Sequence, residues 1–147
     1  DLRKVPNLSL ASSPEFKTNA YGLPGLASVY GITGINFTAI GDYGGPATLK
    51  ALTSGQVDVA DIYTTTPSIS QNNLVTLSDP KNLIAAQNVL PVIRKDKDTA
   101  KITEILNAVS AKLTTQALVQ LNAQYDGPNK PSPADVAAAW LKANGFS

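Results

Sequence analysis

Cysteine, methionine and histidine are all absent from this chain of 147 residues. Their absence removes disulfides, thiolate nucleophiles, imidazole general bases and the commonest zinc ligands together. Any catalysis would fall to carboxylates, lysines or hydroxyls. Aromatic residues make up only 6% of the chain, so each ring that is present stands out. Neither sign of charge dominates, because twelve basic residues against eleven acidic ones leave a formal charge of +1. No run of Lys or Arg with interleaved aromatics is laid out to track a phosphate backbone, and nucleic acid is not expected as a partner. The apolar runs are only a few residues long, too short to span a bilayer. The opening DLRKVPNLSL lacks the basic, apolar and small-residue segments of an export signal. The expectation is therefore a cytosolic chain, or a mature or trimmed piece of an exported one. A chain of this length suits one domain, or two small lobes sharing a crevice, and can bury a core without staples.

What is present alternates strand and helix signals. Leu8–Ala11 reads as a short strand stopped by SSPEF, and GLPGLASVYG has the apolar spacing of a helix closed by Gly31. INFTAIG alternates as a strand does and ends at GDYGGP; Pro46–Leu52 then supplies a helix with Gly55 as its stop. Val57–Tyr63 reads as a buried strand, and LVTLSD and VLPVIRKD add two further strand candidates. Strand, helix, strand, helix, strand is the order of a parallel sheet with helices packed across it. Beyond Asp96 the pattern turns helical over Ala100–Leu113, Thr115–Tyr125 and Pro133–Asn144. The last carries Ser132 as N-cap, Pro133 at the first helical position, Asp135 at the third and Gly145 past its end. The reading is α/β: a lobe over residues 1–95 and a helical segment over 96–147, joined near Arg94–Asp98.

Several stretches are candidates for chemistry. GDYGGP lies between a strand and a helix but has neither GxGxxG nor a lysine followed by Ser or Thr, so it reads as a tight turn. Asp58 and Asp61 are three apart on a strand and face opposite sides, which argues against a shared acid/base or metal site. One is expected to cap a neighbouring loop and the other to lie at an edge. Ligands of parallel sheets gather beyond the carboxyl ends of the strands, which favours the residues after Asp61. There stand Tyr63 and then Thr64, Thr65 and Thr66. Tyr63 reads either as an amphipathic plug with a satisfied hydroxyl or as one wall of an aromatic cage. The negative face of its ring attracts a quaternary ammonium group, which has no N–H to donate, and the threonine hydroxyls suit the polar end of such a ligand. Ser13, Glu15 and Phe16 follow the first strand in the same way. Gln87 and Asn88, in AAQNVLP, place two amides in an apolar setting where each needs a backbone or ligand partner.

Taken in order, LSLASSPEF, GLASVYGI, LKALTSGQVDVADIYTTT, LVTLSDPKN and LPVIRKD resemble the osmoprotectant class of ABC-transporter substrate-binding proteins, the extracytoplasmic receptors of ATP-driven importers for glycine betaine, choline, carnitine and proline betaine. The resemblance runs the length of the chain but covers only the second lobe of that family and the C-terminal helices that return to the first. It implies one lobe of a type II periplasmic-binding-protein-like clamshell and no enzymatic activity. It further implies an extracytoplasmic, often lipoprotein, location and, as partners, a small solute and an ABC permease. It places Tyr63 on a cage position. Asn88 stands where many members have another tyrosine, and Asn19, in PEFKTNAYG, where many have a carboxylate-binding arginine; the change at Asn19 shifts the expectation from betaine toward choline or an unlike, more neutral solute. With Asp42 of the GDYGGP turn, these residues complete the expected ligand-binding set, and neither cofactor nor metal is expected. The lobe missing from this chain would supply the remaining cage, and a domain-swapped homodimer is one way to cover exposed crevice and hinge surfaces. Two rivals stand beside this reading. One is the ligand-sensing effector domain of a transcription regulator with the same architecture; the other is an enzyme using Asp58 or a Ser and Lys pair, for which no base lies at motif spacing from a nucleophile.

Overall fold

The computed structural model describes residues 2–146, so the outer ends of the expected segments, residues 1 and 147, lie outside the described residues. The chain forms two compact units. The first runs from the N-terminal residues through Tyr63 and resumes over Ser68–Ala86; the second joins Thr64–Pro67 to everything from Gln87 onward.

Three strands build the first unit: β1 (Ser9–Ser12), β2 (Asn36–Ala39) and β3 (Val59–Ala60). They form one parallel sheet in the order β2-β1-β3, with Ser9 opposite Asn36 and Leu10 opposite both Phe37 and Val59. Parallel neighbours need crossover connections, and the helices α1 (Leu23–Tyr30) and α2 (Pro46–Thr53) provide them. Each has a proline in its first turn, where the missing N–H costs nothing. Gly31 closes α1 in the left-handed region at φ 66°, as the sequence predicts. One side of the sheet is covered by α2: Ala11, Ala51 and Val57 are buried together, with Ile40, Leu52 and Ala60 packed around them. Leu8, Leu10, Phe16 and Ile32 are also buried, and the rings of Phe16 and Phe37 lie nearly parallel with centroids 6.4 Å apart. A short helix, α3 (Ser68–Gln71), belongs to the same unit.

The strand content is smaller than the sequence pattern suggests. Val57–Tyr63 contributes only the two residues of β3, and neither LVTLSD nor VLPVIRKD becomes a strand. These segments have a strand's apolar composition, but a strand exists only where a neighbour completes its ladder. Among the described residues no strand lies beyond β3 to extend the sheet. Val75 and Val92, at 84% and 91% exposure, accordingly face solvent.

The second unit is helical, with α4 (Ala100–Lys112), α5 (Thr115–Tyr125) and α6 (Pro133–Ala143) within one residue of the expected bounds. All three begin at hydroxyl caps: Thr99, Thr114 and Ser132 accept the amides of Ile102, Ala117 and Asp135. Helices α5 and α6 pack on each other, and Ala117 and Val136 are buried. The end of α6 is tied down by Lys112, whose Nζ donates to the Asn144 carbonyl at 2.6 Å and lies 5.0 Å from the Phe146 ring centroid.

Candidate functional site

Parallel pairing brings the carboxyl ends of all three strands to one edge of the sheet, and three expected ligand residues follow within three positions of those ends: Ser13 after β1, Asp42 after β2 and Tyr63 after β3. Tyr63 is 60% exposed, so its ring is not a plug buried in the core. The backbone leading to it is closely backed by the 41–45 turn. A Cβ on Gly44, which sits at φ 82°, would come within 3.0 Å of both the Asp61 carbonyl oxygen and the Ile62 Cα. Only glycine permits that approach without a shift.

Asp42 is engaged in structure. Its Oδ2 accepts the Ala47 amide at 2.7 Å and the Thr48 amide at 3.2 Å, while Oδ1 accepts the fully buried Thr48 hydroxyl at 2.6 Å. Burial alone would raise this carboxyl; the bonds from Thr48, Ala47 and Gly45 outweigh it and hold the group below the usual carboxylate range. Asp42 thus does for α2 what an N-cap residue does, although Gly45 occupies the cap position and offers no side chain. Phe16 is buried against Phe37 and meets Tyr21 edge-on with centroids 6.3 Å apart. Ser13 is half-buried and Glu15 exposed. Asn19 donates from Nδ2 to the Tyr21 hydroxyl at 2.7 Å.

The two aspartates around β3 reach back to β1. Asp58 Oδ2 accepts the Ser9 amide at 2.8 Å and the Ser9 hydroxyl at 2.6 Å, and its own amide donates to that hydroxyl at 2.9 Å. Asp61 Oδ2 accepts the hydroxyl of fully buried Ser12 at 2.9 Å. A strand of two residues has little ladder to hold it, and these bonds lash it to its neighbour at both ends. The bonds from the Ser9 side chain and backbone hold the Asp58 carboxyl below its ordinary value.

The other expected ligand residues belong to the second unit. Thr64 is exposed and Thr65 half-buried; the Thr65 carbonyl accepts Asn122 Nδ2 of α5 at 2.9 Å, which fixes the 64–67 segment within that unit. Gln87 and Asn88 do not lie in the apolar setting the sequence suggests. Both are exposed, because the surrounding apolar run is itself exposed, and solvent can satisfy their amides.

A cavity of about 560 Å³ lies wholly within the first unit, between Leu10 and Val59 of the sheet, α1 and the 77–84 segment. Sequence reasoning missed the cluster that holds its outer wall. Asp79 accepts the Tyr30 hydroxyl, the Leu83 amide at 3.1 Å and the Ile84 amide at 2.8 Å. Lys81 donates its amide to the Tyr30 hydroxyl at 2.9 Å and its Nζ to the Val29 carbonyl at 2.6 Å. The bond from Tyr30, followed by that from Ile84, holds the Asp79 carboxyl low, against the raising effect of burial. The one available signal was the Asp-Pro pair at 79–80, a turn initiator.

A small parallel sheet, crossover helices and a following helical segment define a mixed α/β protein with half of a periplasmic-binding-protein-like fold. The structure is similar to a solved glycine betaine/carnitine/choline ABC transporter, at 23% identity and a TM-score of 0.71 over 95% of this chain and 51% of that one. It is likewise similar to apo YehZ from Escherichia coli, at 26% identity and a TM-score of 0.61 over 95% of this chain and 52% of that one. The chain therefore spans about half the length of these structures. No curated protein sequence matches it. The family model of the substrate binding domain of ABC-type glycine betaine transport systems (OpuAC) matches residues 1–143, and the chain belongs to that family. It is a family of binding proteins rather than enzymes.

Proposed function

We propose that this chain is one half of an extracytoplasmic solute receptor for an ATP-driven importer, and that its solute is a quaternary ammonium osmoprotectant, choline before glycine betaine. The observation that carries the reading is the exposed ring of Tyr63 at the carboxyl edge of a parallel sheet, in a chain of the glycine betaine receptor family. An aromatic face binds a trimethylammonium group through its quadrupole, and Tyr63 offers that face without first having to leave a core. With Asn19 in place of an arginine, no guanidinium fork is offered to a carboxylate, which favours choline over betaine. The remaining enclosure comes from the lobe that this chain does not contain, and the helical segment over 96–147 packs on that lobe. An ABC permease is the partner of the assembled receptor.

Nuclear magnetic resonance titration of the 147-residue chain with choline and glycine betaine tests the reading. Half an enclosure is expected to bind in about the millimolar range. Choline should shift the Tyr63 ring signals with saturation, Tyr63→Phe should keep the response and Tyr63→Ala should abolish it. Saturating shifts that persist in Tyr63→Ala, or none with any quaternary ammonium compound, would remove the ligand assignment.

A further inference from the structure

The cavity of the first unit plays no part in the proposed cage, since Tyr63 is not among the residues that line it. We propose that it is a second binding site, for a small amphiphilic cation: a primary amine carried on a flat or branched apolar body. The volume of about 560 Å³ lies in the usual range of small-molecule sites. Its walls suit an apolar body. Leu10 and Val59 form the floor, Leu26 and Leu83 the sides, and the edge-to-face rings of Phe16 and Tyr21 add flat aromatic surface. The outer wall is a built feature and not a loose loop, because the Tyr30 hydroxyl donates to Asp79 and Lys81 donates to Tyr30 and Val29, which clamps the segment to the end of α1.

The polar groups of the lining choose the head of the ligand. Asp79 is occupied by a hydroxyl and two amides. Lys81 is occupied by the Val29 carbonyl and lies 5.5 Å from the Tyr30 ring centroid. Arg3 is partnered as well. The fourth charged residue is Asp61. One of its oxygens accepts from Ser12 at 2.9 Å, and the other has no donor among the described residues. An ionised carboxylate has about four acceptor positions, so Asp61, an exposed residue of the lining, keeps acceptor capacity for a ligand at the edge of the cavity. A primary ammonium supplies three N–H donors and gains a charge-assisted bond there. A quaternary ammonium supplies none. A quaternary ammonium keeps only the charge attraction to Asp61 and forgoes these bonds, so this site prefers the primary amine while the bare ring face suits choline.

Phenethylamine, which combines an ammonium head with a flat apolar body, is a suitable probe of the isotope-labelled chain. The expected result is saturable shifts of the Leu10, Val59 and Ile84 backbone signals. Phenethyl alcohol, with the same ring and no charge, should bind about tenfold more weakly, a difference typical of one charge-assisted bond. Asp61→Asn keeps an acceptor for Ser12 and should weaken phenethylamine by a similar factor while leaving the alcohol unchanged. Choline should not displace the amine. Equal affinity for amine and alcohol, no shifts at the three positions, or displacement by choline would each overturn the proposal. Because the alcohol comparison uses the unaltered chain, it stands even if the variant fails to fold. The choline response of Tyr63 is read from separate signals, so either site can fail without the other.

Discussion

Four carboxylates of the first unit show how this chain spends its acidic groups. Asp42, Asp58 and Asp79 each accept two or more bonds, Asp42 from the start of α2, Asp58 from Ser9 of β1 and Asp79 from Tyr30 and its own following turn, and each is held below the ordinary carboxylate value in the fold. A carboxyl depressed by folding contributes stability that is fully present above its unfolded value and is lost as pH falls through the folded one. With an unfolded aspartate near 3.9, the loss belongs to the interval from about pH 4 downward, and stability should be flat above about pH 5 on this account. Urea denaturation at a series of pH values checks the sign: the midpoint should fall on acidification, and Asp79→Asn should make that fall shallower. A midpoint that rises below pH 4 would contradict the whole assignment. Asp61, the fourth, accepts a single bond from Ser12. The difference between saturated and unsaturated carboxylates is what separates structural aspartates from a candidate ligand group here, and nothing in the residue type reveals it.

Local signals predict the helices well and the strands poorly, for a physical reason. A helix closes its hydrogen bonds within its own segment, so the Ser132 cap, Pro133, Asp135 and the closing Gly145 are enough to locate α6. Removing the cap in Ser132→Ala should cost about 1 kcal/mol, seen as lowered helicity by circular dichroism, and Ser132→Asp should restore most of it. Helix α2 is subtler, because its cap residue is a glycine and its first amides are bonded by Asp42 from three residues upstream. That role was not legible in GDYGGP, which reads as a tight turn with Pro46 opening a helix. Asp42→Ala should destabilise the fold by about 1 to 2 kcal/mol while Asp42→Asn costs less, measured by chemical denaturation. A strand depends on partners remote in sequence, and its pattern records an expectation rather than a bond. The parallel order was legible because two helices intervene between three strands, whereas LVTLSD and VLPVIRKD have a strand's composition and, among the described residues, no neighbour to pair with. Of the candidate site, only the placement of its residues in the fold can be compared with the sequence. The sequence placed Ser13, Asp42 and Tyr63 after strand ends, but it put Phe16 at the rim when packing on Phe37 buries it, and it missed the Tyr30, Asp79 and Lys81 cluster entirely.

The chain matches about half the length of its structural relatives. Single exposed apolar side chains are ordinary. Val89, Leu90 and Val92 are different: they lie close together at 63%, 73% and 91% exposure, in a segment with a strand's composition and no ladder. Extended apolar backbone with unpaired N–H and C=O groups is a template for pairing with another chain. On the proposed function its proper cover is the complementary lobe, and without that lobe a second copy of the same chain is the nearest substitute. Sedimentation velocity of the 147-residue chain should therefore show mass rising with concentration. Leu90→Lys with Val92→Lys should return it to a monomer, since burying two ammonium groups at an apolar contact costs more than the contact gains. Supplying the complementary lobe should suppress the self-association in the unaltered chain and tighten choline binding together, because both depend on the same missing surface. A strictly monomeric chain at all concentrations would show that this segment is not an interface between copies, and tightening of choline without any change in mass would separate closure of the cage from cover of the apolar run.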